Sequence, residues 1–124
     1  TGCDKKPSAD AVPATADKAQ SAVLELDDTT FAAQTAQGVV LVDFWAPWCP
    51  PCRMQGPIVD AVAKQLGSTA KVAKVNVDNA KATAQAFGVR SIPTLVVLKD
   101  GKTVKSFTGL TQADALVAAV KDAL

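Results

Sequence analysis

The stretch Val39-Val40-Leu41-Val42-Asp43-Phe44-Trp45-Ala46 is almost unbroken in apolar side chains, and Asp43 is its one charged residue. A strand with one wet face alternates apolar and polar residues. A run of this kind therefore predicts a strand covered on both faces, at the centre of a layered sheet. Asp43 and Pro47 interrupt it well short of the roughly 18 apolar residues that a membrane-spanning helix needs. The rest of the chain has to supply the covering layers.

It does so by alternation. Val23 to Leu26 reads as a strand, followed by a helix from Asp28 to Gln37 with Asp27 or Asp28 as N-cap and Gly38 as its stop. Met54, Ile58, Val62 and Leu66 share one helical stripe and predict a helix from Pro51 to Leu66 closed by Gly67. Pro57 inside it lacks the N–H that would bond the carbonyl of Arg53, which predicts a kink. Val72 to Val77 reads as a strand, and Ala80 to Phe87 as a short helix ended by Gly88. Thr94 to Leu98 and Lys102 to Phe107 flank Asp100-Gly101, a two-residue hairpin signal. A last helix from Thr111 to Leu124 places Leu116, Val117, Val120 and Leu124 on one face. This order describes one α/β domain over residues 22–124. Residues 1–21 hold one branched aliphatic, Val12, and no aromatic. They read as a neutral, flexible tether, with transient helix around Thr15 to Ser21.

Composition narrows the chemistry. Thirteen Lys and Arg against twelve Asp and Glu leave a formal charge of +1, so no strong field draws nucleic acid. Histidine and tyrosine are both absent, which removes Ser-His-Asp, Cys-His and two-His metal arrangements together. Three cysteines remain: Cys3, Cys49 and Cys52.

Cys49 and Cys52 lie in Trp48-Cys49-Pro50-Pro51-Cys52, where the buried strand gives way to a helix. Their spacing puts both thiols around the first helical turn, close enough to bond to each other. Cys49 falls at or near the N-cap, where unpaired N–H groups and the positive end of the helix dipole favour a thiolate, the form that attacks disulfides. Cys52, a turn further in, is less accessible and suited to resolve a mixed disulfide. A purely structural bridge is a weak alternative, because closing so short a loop constrains the unfolded chain by only about 2 kcal/mol. A metal site would need two further ligands, with only the remote Cys3 or carboxylates to supply them, and none is expected.

Phe44-Trp45-Ala46-Pro47-Trp48-Cys49-Pro50-Pro51-Cys52-Arg53-Met54, then Pro57 and Ser91-Ile92-Pro93-Thr94, resembles the thioredoxin family from about residue 23 to the C-terminus. The resemblance implies the thioredoxin fold: an α/β architecture with a five-stranded mixed sheet flanked by four helices, and an active site at the end of the central strand. It implies thiol:disulfide oxidoreductase activity through Cys49 and Cys52 without any cofactor. Asp43, a carboxylate in an otherwise buried strand, would lie beneath the cysteine pair and exchange protons with Cys52, with Lys74 as its neighbour. Pro93, by the same likeness, follows a cis bond that turns the Ile92 backbone toward Cys49. Trp48, Ile92, Pro93 and Gly109 would then border a shallow apolar groove for an extended substrate. Trp45 reads as structural. Pro50 departs from the family pattern, which has glycine there, and leaves the reduction potential open.

Thr1-Gly2-Cys3-Asp4 resembles the end of a bacterial lipoprotein signal, in which small residues precede a cysteine that becomes lipidated. This predicts a protein of the bacterial cell envelope, on the periplasmic side, lipid-anchored to the inner membrane through Cys3; a monomer is expected. Its substrates would be protein disulfides, with a membrane thiol carrier as electron donor. A cytoplasmic placement would use thioredoxin reductase instead. The alternatives are an envelope thiol oxidase or isomerase working in the opposite direction, and a non-enzymatic binding module on the same fold.

Overall fold

The computed structural model describes residues 23–124. Tether 1–21, its segment Thr15 to Ser21 and Cys3 lie outside the described residues. In chain order the elements are β1 (Val23–Leu26), α1 (Phe31–Thr35), β2 (Val39–Trp45), α2 (Pro50–Leu66), β3 (Lys71–Asn76), α3 (Lys81–Ala86), β4 (Thr94–Lys99), β5 (Lys102–Thr108) and α4 (Ala113–Ala123). The five strands form one sheet in the order β1-β3-β2-β4-β5. β3 runs parallel to β1 and β2, whereas β4 is antiparallel to β2 and to β5.

As its composition predicts, β2 is central, and every residue from Val39 to Phe44 is buried. Its side chains divide between two cores by the two-residue period of a strand. Val39 and Leu41 pack with Leu95 and Val97 under α2 and α4, against Val59, Val62, Leu66, Leu116 and Val120. Val40, Val42 and Phe44 pack on the opposite face with Leu98 and Phe31. There Phe87 meets Phe31 edge-on at 5.2 Å between ring centroids, and Phe44 at 5.6 Å. The hairpin turns at Asp100 and Gly101, both at positive φ (51° and 83°), the conformation that a two-residue loop with right-handed strand twist requires.

The helices differ from the sequence expectation in three places. Regular α1 spans Phe31–Thr35 rather than Asp28 to Gln37. Asp27 ties up the preceding residues: its Oδ1 accepts from the Thr29 and Thr30 amides and from the Thr29 hydroxyl, while Thr30 Oγ1 accepts from the Asp27 amide. Local side-chain bonds of this kind hold a turn in place of helix. In α2, Met54 is 61% exposed and lies outside the core. The buried stripe is Cys52, Gln55, Val59, Val62, Ala63 and Leu66, and the helix continues through Pro57. In α4, Ala119 joins Leu116 and Val120 in the core, and Leu124 is exposed.

Candidate active site

The β2–α2 junction sets the geometry of the cysteine pair. Cys49 is the N-cap of α2, with extended backbone (φ −96°, ψ 110°). Pro50 and Pro51 occupy the first helical positions, where a missing N–H costs nothing and a fixed φ suits the helix. The first side-chain-capping donor left is the amide of Cys52, which donates to Cys49 Sγ at 3.2 Å. The amide of Arg53 bonds the Cys49 carbonyl at 3.2 Å. Pro50 thus withholds an N–H that this turn does not need, and the N-cap bond comes from the Cys52 amide.

Cys49 and Cys52 are joined as a disulfide, with Cα atoms 5.2 Å apart. Both residues are 3% exposed, so in this oxidised form Cys52 is no less accessible than Cys49, contrary to the sequence expectation. They pack with Ala46 against Trp45, Val77 and Ile92.

The Ile92–Pro93 peptide is cis. The Ile92 carbonyl oxygen lies 3.7 Å from Cys49 Sγ. Pro93 is buried, Ile92 and Gly109 are half-buried, and Trp48 is 62% exposed, which excludes a core role for that indole. Pro93 therefore contributes to any groove chiefly by aiming Ile92. Trp48 is held at the surface by its Nε1–H, which donates to Asp78 Oδ2 at 2.9 Å. Gly109, at φ +93°, donates its amide to the Pro93 carbonyl at 2.8 Å, so it is pinned to the cis-proline loop. The next loop is fixed by a residue that sequence reasoning missed. Fully buried Gln55 donates to the Thr111 carbonyl and accepts from the Thr111 amide, each at 2.8 Å. Its only sequence signal is a polar residue one turn after Cys52, on the same helical face.

Asp43 is 2% exposed, and its Oδ1 has no hydrogen-bond partner among the described residues. Burial pushes its carboxyl up to about 7, against the downward pull of Lys74. Lys74 is its direct neighbour in register on β3. The Lys74 ammonium sits 4.9 Å from the centroid of the Trp45 ring and 3.6 Å from Glu25 Oε2. Trp45 packs directly against the cysteine pair, and its buried Nε1 is also unpartnered among the described residues. Asp28, expected to cap its own helix, instead reaches α3: its Oδ1 accepts from the Thr83 amide at 2.9 Å and from the Thr83 hydroxyl at 2.7 Å.

Known proteins converge on the same reading. The family model "Thioredoxin" matches residues 22–122. The thioredoxin of Bacillus subtilis is 45% identical over 95 residues, covering 77% of this chain and 91% of its own. Thioredoxin 1 of Synechococcus elongatus is 46% identical over 91 residues, covering 72% and 85%. A mutant thioredoxin from Halobacterium salinarum superposes with a TM-score of 0.74 at 40% identity, over 81% of this chain and 88% of that one. In this chain the two bonded sulfurs stand at the N-terminus of α2, next to the cis Ile92–Pro93 peptide and at the end of the central strand of a five-stranded mixed sheet. The chain belongs to the thioredoxin family, and its chemistry is dithiol/disulfide exchange through Cys49 and Cys52.

Proposed function

We propose that this protein works as a reductant of disulfides in protein substrates, with Cys49 as the attacking sulfur and Cys52 as the resolving one. The observation that carries the assignment is the Cys52 amide donating to Cys49 Sγ at the N-terminus of a 17-residue helix. A fixed N–H and the helix dipole stabilise negative charge on that sulfur. The Cys49 thiolate attacks a substrate disulfide, forming a mixed disulfide and expelling one substrate thiolate, which takes a proton from solvent. Cys52 then passes its proton to the Asp43 carboxylate. The resulting thiolate attacks Cys49 Sγ, the intramolecular disulfide forms, and the second substrate thiolate leaves. Two electrons move from the dithiol to the substrate.

A carboxyl titrating at about 7 is matched to that proton transfer at neutral pH. Lys74 keeps Asp43 from rising further. The exposed Trp48 face, the Ile92 backbone and Gly109, held by Pro93, form the substrate groove. There an extended segment pairs with the Ile92 backbone as an added strand.

For its place in the cell, we favour the bacterial envelope. Cys3 follows small residues, precedes an aspartate, and is separated by the tether 1–21 from the domain 22–124. Among the described residues no helix is long and apolar enough to cross a membrane; a lipid at Cys3 would supply the attachment. An envelope reductant draws electrons from a membrane-embedded thiol carrier. Mass spectrometry of Cys3 from native membranes tests this placement, and an unmodified thiol would refute it.

The exchange reaction itself is tested by Cys52→Ser. Removing the resolving sulfur should trap substrates as mixed disulfides on Cys49, whereas a pure binding module yields no covalent adduct. Equilibration against glutathione buffers gives the direction. A reducing poise supports a reductase, and a strongly oxidising one would overturn that reading in favour of an oxidase or isomerase.

A further inference from the structure

Glu25, Lys74 and Asp43 stand side by side on three adjacent strands: Glu25 pairs in register with Lys74, and Lys74 with Asp43. Register partners project from the same face of a sheet, here the face under α2 and α4. Among the described residues the Lys74 ammonium makes its ion pair with Glu25, at 3.6 Å, and not with Asp43. The Trp45 ring is its other contact. Glu25, Leu26, Asp27, Lys74, Asn76 and Asn79 line an open polar pocket of about 400 Å³, which gives water access to this end of the row. Asp43 at the other end is buried, with Oδ1 unpartnered among the described residues.

We propose that Glu25 is a positioning residue of the exchange reaction, holding the Lys74 ammonium off the Asp43 carboxyl so that Asp43 stays able to carry a proton. A lysine free to close on a buried carboxylate would form a tight pair and lock Asp43 in its ionised form. Glu25 offers the ammonium an equal charge on the solvent side, and the Trp45 ring face steadies it there. The other charged groups near this face do not compete. β4 presents Leu95 opposite Asp43. The only titratable residue on the buried stripe of α2 is Cys52, since Arg53, Asp60 and Lys64 are exposed. Asp114, Lys121 and Asp122 of α4 are exposed as well. Asp27 lines the pocket beside Lys74, and its carboxylate is engaged by Thr29 and Thr30.

The inference rests on Asp43 as proton carrier, and the test separates the two. The carboxyl carbon of Asp43 is titrated by NMR in the oxidised protein, where neither active-site sulfur ionises. Glu25→Gln should lower the midpoint by about one pH unit, well beyond the roughly 0.3 unit that direct loss of one charge across two strand spacings of about 4.8 Å would give in water. In a Lys74→Gln background the same substitution should shift it by clearly less, because the lysine that transmits the effect is gone. No shift, or an equal shift in both backgrounds, would overturn the proposal. In the reduced protein, the pH profile of mixed-disulfide resolution should move with the titration. A titration that moves while the profile stays fixed would keep the Glu25–Lys74–Asp43 coupling, refute Asp43 as proton carrier, and defeat the proposal through that reading.

Discussion

Replacing Asp43 by Asn should stabilise the oxidised protein, by an amount that depends on pH in a defined way. Asparagine matches the protonated carboxyl in size and never ionises. Between the ordinary value of 3.8 and about 7, the folded state keeps a proton on Asp43 that the unfolded state has released. The folded state therefore binds more protons in this window, and stability falls as pH rises through it. Below the window Asp43 is neutral in both states and the variant should match the parent. Above it, the whole cost of burying the charge is present. A displacement of about three pH units at about 1.4 kcal/mol each gives a penalty of about 4 kcal/mol, which Asp43→Asn removes. Urea unfolding of both proteins from pH 4 to pH 9 provides the assay. The difference should be near zero at the acid end, grow through pH 5 and 6, and level off above pH 7. A difference that is constant with pH, or that favours the parent at pH 8, would refute the assignment of a neutral buried carboxyl.

Two further perturbations address the supports of the site. Gln55→Ala removes both bonds to the Thr111 backbone, so we expect a loss of about 2 kcal/mol in equilibrium unfolding. Faster amide exchange at Thr111 should accompany it, and an unchanged midpoint would mean that water replaces the side chain without cost. Asp28→Ala should raise amide exchange at Ala82 and Thr83, the two donors to its carboxylate, while leaving Cys49 reactivity unchanged. Slow exchange retained at Thr83 would show that the α3 terminus holds without this cap.

The features legible in the sequence are those set by neighbouring residues or by burial on both sides. β2 announces itself because a central strand leaves no polar face, and the hairpin does because Asp100-Gly101 suits positive φ at both positions. The cysteine pair is legible because a helix start and a three-residue spacing together determine where both sulfurs fall. The cis peptide before Pro93 came from the family resemblance, since local sequence alone favours trans. What stayed hidden depends on partners far along the chain. Asp28 looks like a cap for the next helix, yet it serves Thr83, 55 residues away. Gln55 looks like a surface residue and Met54 like core, but the rotation of α2 is set by Cys52 facing inward and by Thr111 opposite, reversing their roles. Glu25 carries no local signal, because its relation to Asp43 exists only once β3 lies between them.

The central claim is that the fold singles out one sulfur for ionisation. Reduced protein treated with limiting iodoacetamide at pH 7, quenched in time and resolved by peptide mapping, measures it directly. The N-cap bond and helix dipole predict that Cys49 is modified about tenfold faster than Cys52 or faster still. Equal rates at the two positions, or preferential labelling of Cys52, would contradict the account.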